Sequence, residues 1–193
     1  MTTLAIAVSP VRVRSNVAYR VALAVAGSWL VAGLAQIEIR LPFTPVPITG
    51  QTLGVLLVGA SLGPALGALS MGIYVLQGAF GLPFFSGGAS GATFLRLSAA
   101  NGGYLWGFVL VGGVVGWLAR RGWDRDLRGA IAAMFVGEVV LYAVAVPWLS
   151  VALDVSVARA LELGLVPFVV GDVLKLLLAA SLLPAAWRTV ERR

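Results

Sequence analysis

Long apolar runs, broken at a few places by proline, glycine and charge, dominate this chain of 193 residues. About 20 mainly apolar residues are enough for a helix to cross the hydrocarbon core of a bilayer. By that measure the pattern predicts six helical spans, three of which are shorter or less regular than the others. The six predicted spans are 17–37, 51–61, 64–80, 104–119, 128–149 and 167–187.

Two segments between the spans have a pattern of their own. Residues 42–52, PFTPVPITGQT, crowd three prolines into six residues, and residues 81–103 are rich in Gly, Ser, Ala and Asn. Proline fixes φ and lacks an N–H donor, so the first segment is expected to be stiff. It is either part of a site or its lid, or a tight connector between two helices. We interpret the second segment as a structured outer loop.

The composition identifies lipid as the solvent of most of the surface. Hydrophobic residues make up 60% of the chain and charged residues 11%, against about 25% charged in ordinary soluble domains. We therefore predict an all-α integral membrane protein of a single domain. It would comprise a cytoplasmic tail at 1–16, a six-helix bundle at about 17–187 and a second cytoplasmic tail at 188–193.

The distribution of basic residues predicts the orientation of the chain. With a cytoplasmic N-terminus, ten of the fourteen basic residues fall on the inner side, as the positive-inside rule requires. Both termini are then cytoplasmic, and the proline segment and the glycine-rich loop share the outer face. The arginines near the N-terminus follow its short apolar run, which is the reverse of a secretory signal peptide.

The composition also excludes several kinds of chemistry. The chain contains no Cys and no His, which removes thiolate catalysis, disulfides, haem ligation by His and most zinc sites, so we expect no metal and no cofactor. No nucleophile lies beside a legible base, so an enzyme is poorly supported. No GxxxxGK[ST] motif is present, so ATP-driven transport would need partner subunits. The basic residues lack the interleaved aromatics of a nucleic-acid surface.

Three ionisable residues stand out because they lie away from the ends of predicted spans, where a charge costs about 2.5–3.5 kcal/mol. Asp172 and Lys175 lie three apart and so share one helix face, and Glu138 lies in the fifth span. Counted from the outer ends, their depths are roughly 7, 12 and 15 Å. Asp172 offers acceptors and Lys175 donors, so together they could hold a small polar solute. The alternative is a structural ion pair, Asp172 with Lys175 or Lys175 with Glu138, that braces two helices. We favour this brace for Glu138.

Small residues recur every four positions on the first span, at Ala18, Ala22 and Ala26, with Gly33 further along. Such rows let helices approach closely in lipid. The row could pack inside the bundle or face a partner protein.

Taken together, three motifs resemble the BioY family of bacterial biotin transport proteins over residues 19–183. The first motif runs from PFTPVPITGQT through SLGPALGALS to GLPFFSGG. The second is NGGYLWGF, and the third is VPFVVGDVLKLLLAA. The resemblance implies a substrate-binding S component of an energy-coupling-factor transporter. Such a subunit captures biotin at the outer face of the bacterial cell (inner) membrane. It works with a transmembrane coupling subunit and two cytoplasmic ATPases, and it topples to release biotin inside.

The resemblance also implies roles for individual residues. Asp172 and Lys175 match a G-D-x-x-K motif and would bind the ureido ring of biotin. The valerate carboxylate would pair with a cation of the outer loop. The A-x-x-x-A row would face the coupling subunit. The remaining expected contacts are Arg96 for the carboxylate, Tyr104, Asn101 and Gln51 as polar groups, Phe84 and Phe85 over the apolar ring, and Ala18, Ala22 and Ala26 for the partner.

Two other functions remain open from the sequence. One is an S component for a different vitamin, with the same helices but other loops and polar groups. The other is a membrane enzyme or scaffold without transport activity, which would need an acidic cluster at the cytoplasmic face. Asp124 and Asp126 are the only candidates there, and we interpret them as part of a solvated loop.

Overall fold

A computed structural model describes residues 3–10 and 15–191 of the chain. Parts of the two predicted tails therefore lie outside the described residues. Four of the arginines used to predict the orientation also lie outside them. The regular secondary structure of the described part consists of helices and one ladder of two residues per strand, joined by loops that include three short 3-10 turns. Its helices are α1 (Leu4–Val8), α2 (Val17–Ala35), α3 (Gln51–Leu62), α4 (Pro64–Ala79), α5 (Gly102–Arg120), α6 (Leu127–Leu153), α7 (Val157–Gly164) and α8 (Val169–Glu191).

The helices begin and end at residues suited to those positions. Asn16 caps α2 by accepting from the N–H groups of Ala18 and Tyr19, and Asp126 caps α6 in the same way. Pro64 opens α4, where its missing N–H removes no helical bond. Gly63, at φ +83°, makes the sharp turn between α3 and α4.

The predicted spans agree with the observed helices to within a few residues. The largest differences are at the C-terminal ends of α6 and α8, which continue to Leu153 and Glu191, and Pro147 and Pro184 are accommodated inside these two helices. Within residues 3–10 and 15–191, four helical segments are long and apolar enough to cross a membrane. They are Val17–Ala35, Gly102–Arg120, Leu127–Leu153 and Val157–Glu191, the last of which joins α7 and α8.

Two features of the loops were not predicted. Glu38–Ile39 (β1) pairs antiparallel with Ile48–Thr49 (β2) and turns the proline segment into a hairpin loop. The short helix α7 precedes α8, and Thr44 of the hairpin loop donates to the carbonyl of Leu163 in α7 at 2.6 Å. These contacts hold the proline segment against one end of the bundle.

Glycines bring α3, α4 and α5 into close contact. A Cβ atom on Gly67 would lie 2.6 Å from the carbonyl oxygen of Gly112, and one on Gly59 would lie 3.0 Å from the same atom. The backbone could make room for either Cβ atom only if a helix moved. Small residues of this kind permit the close packing on which helix association in lipid depends.

The end of the bundle opposite the hairpin loop corrects one prediction. Asp124, in the loop between α5 and α6, is fully buried and accepts from the indole N–H of Trp187 at 2.6 Å. The guanidinium of Arg125 lies over the same indole ring. Asp124 therefore anchors this loop to α8 and does not belong to a solvated loop, whereas Asp126 is exposed.

Asp124 makes the stability of the protein depend on pH. Burial raises the pKa of its carboxyl above the ordinary value, so the folded state holds the proton more tightly than the unfolded chain, and stability falls as pH rises above about 4. Asp124→Asn cannot ionise but still accepts from Trp187. We expect it to unfold at a higher temperature than the parent near neutral pH, with the gain shrinking towards pH 4.

Thermal unfolding in detergent across this pH range provides the test. Asp126→Asn is the matched control, because asparagine is an equally good helix cap and the site is exposed. A constant difference between Asp124→Asn and the parent at every pH would show that ionisation of Asp124 is not the cause.

Candidate ligand-binding site

A cavity of about 490 Å³ lies at the hairpin-loop end of the bundle, within the size range of small-molecule pockets. The proline segment forms one wall through Thr44, Pro45, Val46 and Pro47, so it is more than a connector. The glycine-rich loop and helices α3, α5, α6 and α8 supply the other walls. Arg40, whose side chain is 73% exposed, marks the side of the cavity that faces solvent.

The polar end of the cavity is built around Asp172 and Lys175 on α8. The ammonium group of Lys175 donates to Asp172 Oδ1 at 2.8 Å and to the hydroxyl of Thr52 at 3.0 Å. The hydroxyl of Tyr142 on α6 donates to Asp172 Oδ2. Three helices therefore meet at one carboxylate, whose orientation is fixed by its partners.

This polar group retains capacity for a ligand. The side chains of Asp172 and Lys175 are only 8% and 15% exposed, so the pair is largely removed from water. An ammonium group has three N–H donors and an ionised carboxylate about four acceptor positions, and the protein uses only part of each set. The predicted Asp172–Lys175 pair is thus an ion pair that also borders a cavity.

Two amide side chains border the same cavity. Gln51 is held in place because its amide donates to the hydroxyl of Tyr74 at 2.5 Å and accepts from Thr49 at 2.8 Å. Asn101 differs, since its Oδ1 is buried and has no hydrogen-bond partner in the described residues. An unpaired buried acceptor costs about 1–3 kcal/mol, so a donor from a ligand would fit there.

Six of the eight residues predicted to contact the ligand border this cavity, and two do not. Arg96 is exposed on the glycine-rich loop away from the cavity lining. Phe84 packs outside it, against the rings of Trp29 and Tyr74. The six that border the cavity are Asp172, Lys175, Gln51, Asn101, Tyr104 and Phe85.

Tyr104 borders the cavity, but its hydroxyl is already engaged. It donates to the carbonyl of Gly164 at 2.5 Å, which ties α5 to the end of α7. Its ring, edge-on to that of Tyr142, is what remains for contact with a ligand.

Sequence reasoning missed three residues of this site. Tyr142 follows Glu138 by four positions and so shares a helix face with it, a spacing that could have revealed it. Thr52 is the last residue of the proline segment, but a single hydroxyl in a sequence does not indicate a binding site. Arg40 lies between the first two predicted spans, but nothing in the sequence showed that the hairpin would place it beside the cavity.

Glu138 does not form the predicted brace. It is buried on α6, and neither carboxylate oxygen has a hydrogen-bond partner among the described residues. Lys175, the expected partner, is bonded to Asp172 and Thr52 instead.

Charged groups also link the two outer loops at the solvent-facing side of the cavity. Glu38 accepts from the hydroxyl of Ser86 on the glycine-rich loop and from Arg40 at 2.8 Å. The donation by Ser86, together with Arg40, holds the pKa of Glu38 below its usual range. Gly87, at φ +65°, lies so close that an added Cβ would be 2.6 Å from Arg40 Nη2. The hairpin loop and the glycine-rich loop are therefore joined across the mouth of the cavity.

The row of small residues on α2 forms a second surface of interest. Ala18, Ala22 and Ala26 are all exposed, and an added Cβ on Gly33 would meet nothing within 4 Å. The row therefore faces away from the bundle and is not used for packing within it.

The chain is similar to known proteins over most of its length. The sequence model of the BioY family matches residues 5–192. The chain belongs to the BioY family. A relative of this BioY-family chain, "Biotin transporter BioY" of Rhizobium etli, is 37% identical over 151 residues, which are 75% of this chain and 79% of the relative. "Biotin transporter BioY" of Thermotoga maritima is 36% identical over 159 residues, 82% and 86% of the two chains.

A solved structure shares the fold of this BioY-family chain. It is the crystal structure of "the S-component for biotin from an ECF-type ABC transporter", with a TM-score of 0.79 and 23% sequence identity, covering 89% of this chain and 92% of that chain. The family and the four membrane-length apolar segments together make this chain a membrane protein.

Proposed function

We propose that this BioY-family chain is the biotin-binding S component of an ECF-type transporter. The curated relatives are named as biotin transporters, and the structure with the same fold is an S component for biotin. The observation on which the proposal depends is the cavity with a buried carboxylate and ammonium at one end, at Asp172 and Lys175, and an exposed cation, Arg40, at the other.

Biotin matches this distribution of groups. Its ureido ring has two N–H donors and one carbonyl, which suit Asp172, the unpaired Oδ1 of Asn101 and the ammonium of Lys175. Its thiophane ring is apolar and would contact the aromatic walls, including Phe85. Its valerate carboxylate would point to solvent, where Arg40 takes the part that the sequence assigned to Arg96.

In the membrane, α3 and α4 would complete a set of six spans with the four longer segments. Both are shorter than a bilayer is thick, which local thinning can accommodate. The arginine distribution favours cytoplasmic termini and places the cavity on the outer side of the bacterial inner membrane. The joined outer loops would then act as the lid, and biotin would enter when the Glu38–Ser86 link opens.

Transport would depend on other subunits, and the chain itself would not be an enzyme. We assign the exposed row of Ala18, Ala22 and Ala26 to the transmembrane coupling subunit, with two ATPase subunits beyond it. Close packing along that row would allow the loaded S component to topple and release biotin to the cytoplasm.

Thermal unfolding of the purified protein with biotin, riboflavin or thiamine tests the ligand assignment. A ligand that binds only the folded state must stabilise it, so biotin alone should raise the unfolding temperature. A shift with riboflavin or thiamine and none with excess biotin would assign the cavity to a different vitamin.

The contact with the valerate gives a prediction at the solvent-facing end. Arg40→Gln should weaken biotin binding by up to about fivefold, because an exposed charge pair contributes about 0.2–1 kcal/mol. Biotin amide, which lacks the carboxylate, should bind the parent and Arg40→Gln equally. Calorimetry with both ligands measures this, and Arg96→Gln is the control. A loss of affinity in Arg96→Gln alone would show that Arg96, and not Arg40, pairs with the valerate carboxylate.

A further inference from the structure

A second cavity, of about 300 Å³, lies at the end of the bundle opposite the biotin cavity. The short helix α1 folds across this end and closes one side. The first turns of α2 and α4 and the last residue of α5 close the others. Its wall is formed by Thr3, Ala5, Ile6, Ser9, Tyr19, Arg20, Leu23, Leu62, Pro64, Ala65, Leu66 and Arg120.

The charges around this cavity are all positive. Arg20 from α2 and Arg120 from α5 border it, and no Asp or Glu is among its described lining residues. Neither arginine forms an ion pair within residues 3–10 and 15–191. Two guanidinium groups thus face one cavity without a counter-charge from the described protein.

The N-terminus of α4 adds to this positive field. Ala65 and Leu66, in the first turn of α4, border the cavity, and no side chain caps this helix. The first N–H groups of a helix lack partners within it, and the helix dipole makes that end favourable for anions. The uncapped start of α4 therefore borders the same cavity as the arginines.

The wall of the cavity also contains a buried hydroxyl that lacks a hydrogen-bond partner among the described residues. Thr3 is only 3% exposed, and its Oγ1 has no hydrogen-bond partner among the described residues. The hydroxyls of Ser9 and Tyr19 lie 2.9 Å apart on the same wall. Hydroxyl, guanidinium and helix N–H groups are together the set of donors that a phosphate group accepts from.

We propose that this cavity binds the phosphate of an anionic phospholipid from the adjacent leaflet. The apolar side chains of Ile6, Leu23 and Leu62 share the wall with the cationic groups, which suits a head group continuous with acyl chains better than a free anion. Basic pockets at the ends of transmembrane helices are a known kind of head-group site. The inference does not depend on biotin as the ligand of the larger cavity.

Thermal unfolding in nanodiscs tests the proposal. The parent is compared in phosphatidylcholine alone and in phosphatidylcholine with phosphatidylglycerol, and then in phosphatidylcholine with a millimolar excess of inorganic phosphate. We expect phosphatidylglycerol to raise the unfolding temperature, and inorganic phosphate to raise it much less. No gain from phosphatidylglycerol, or an equal gain from inorganic phosphate, would contradict the lipid assignment whatever the variants show.

Variants then locate the site. R20Q/R120Q should lose most of the gain, and its apparent affinity for phosphatidylglycerol, measured by native mass spectrometry, should fall about tenfold or more. R121Q/R188Q removes the same charge from exposed arginines outside the cavity and should keep the gain. Thr3→Val, which keeps both charges, should show a smaller loss. Equal losses in the two double variants would indicate surface charge alone and would overturn the proposed site.

Discussion

Asp172→Asn is expected to lower biotin affinity by about tenfold or more. The carboxylate of Asp172 is 8% exposed and is held by Lys175 and Tyr142, so it is oriented before a ligand arrives. A hydrogen bond to a charged group contributes about 1.5–3 kcal/mol, and tenfold in affinity corresponds to about 1.4 kcal/mol. The substitution keeps the size of the side chain but removes the charge and replaces one acceptor with a donor.

Calorimetric titration of folded variants measures this effect. Asp154→Asn is the matched control, because Asp154 is exposed at the end of α6 with φ 53°, a conformation that asparagine also tolerates. Asp172→Ala should lower the affinity at least as much as Asp172→Asn. Full affinity in a folded Asp172→Asn protein would mean that Asp172 and Lys175 serve only to brace the bundle.

Ala22→Trp is expected to abolish biotin uptake by cells while leaving biotin binding by the purified protein unchanged. Ala22 is exposed at the centre of the α2 row, and no residue of α2 lines the biotin cavity. A tryptophan there would keep a partner helix from the close approach that a row of small residues permits. Ala22→Trp should therefore lose its coupling to the partner subunits but still bind biotin.

Uptake of labelled biotin in cells that carry the coupling and ATPase subunits tests this prediction, with co-purification of those subunits as a second readout. Ala132→Trp makes the same change at an exposed position of α6 and should transport normally. Normal uptake by Ala22→Trp, or an equal loss in Ala132→Trp, would remove the α2 row from the partner interface.

Much of the helical arrangement could be predicted because lipid imposes a simple rule. A span must be apolar and about 20 residues long, and proline and glycine mark where α3 and α4 begin and end. The hairpin ladder at Glu38–Ile39 and helix α7 were missed because each is short and depends on contacts with distant residues. Thr44 reaches Leu163 across 119 positions of sequence, and no local pattern encodes such a contact.

Some residues of the site could likewise be predicted from the sequence, and others could not. Asp172 and Lys175 were recognisable because ionised groups are rare within a span and their spacing puts them on one face. Glu138 was equally visible, but its partner depended on which way Lys175 turns. Arg40 and Arg96 are both outer-loop arginines, and only the folding of the hairpin distinguishes the one beside the cavity from the one away from it.

The claim that the Asp172–Lys175 cavity captures biotin is tested most directly by one calorimetric titration of the purified parent protein with biotin. We expect saturable binding of one biotin per chain, with no comparable heat from riboflavin or thiamine. The absence of saturable biotin binding by folded protein would contradict it.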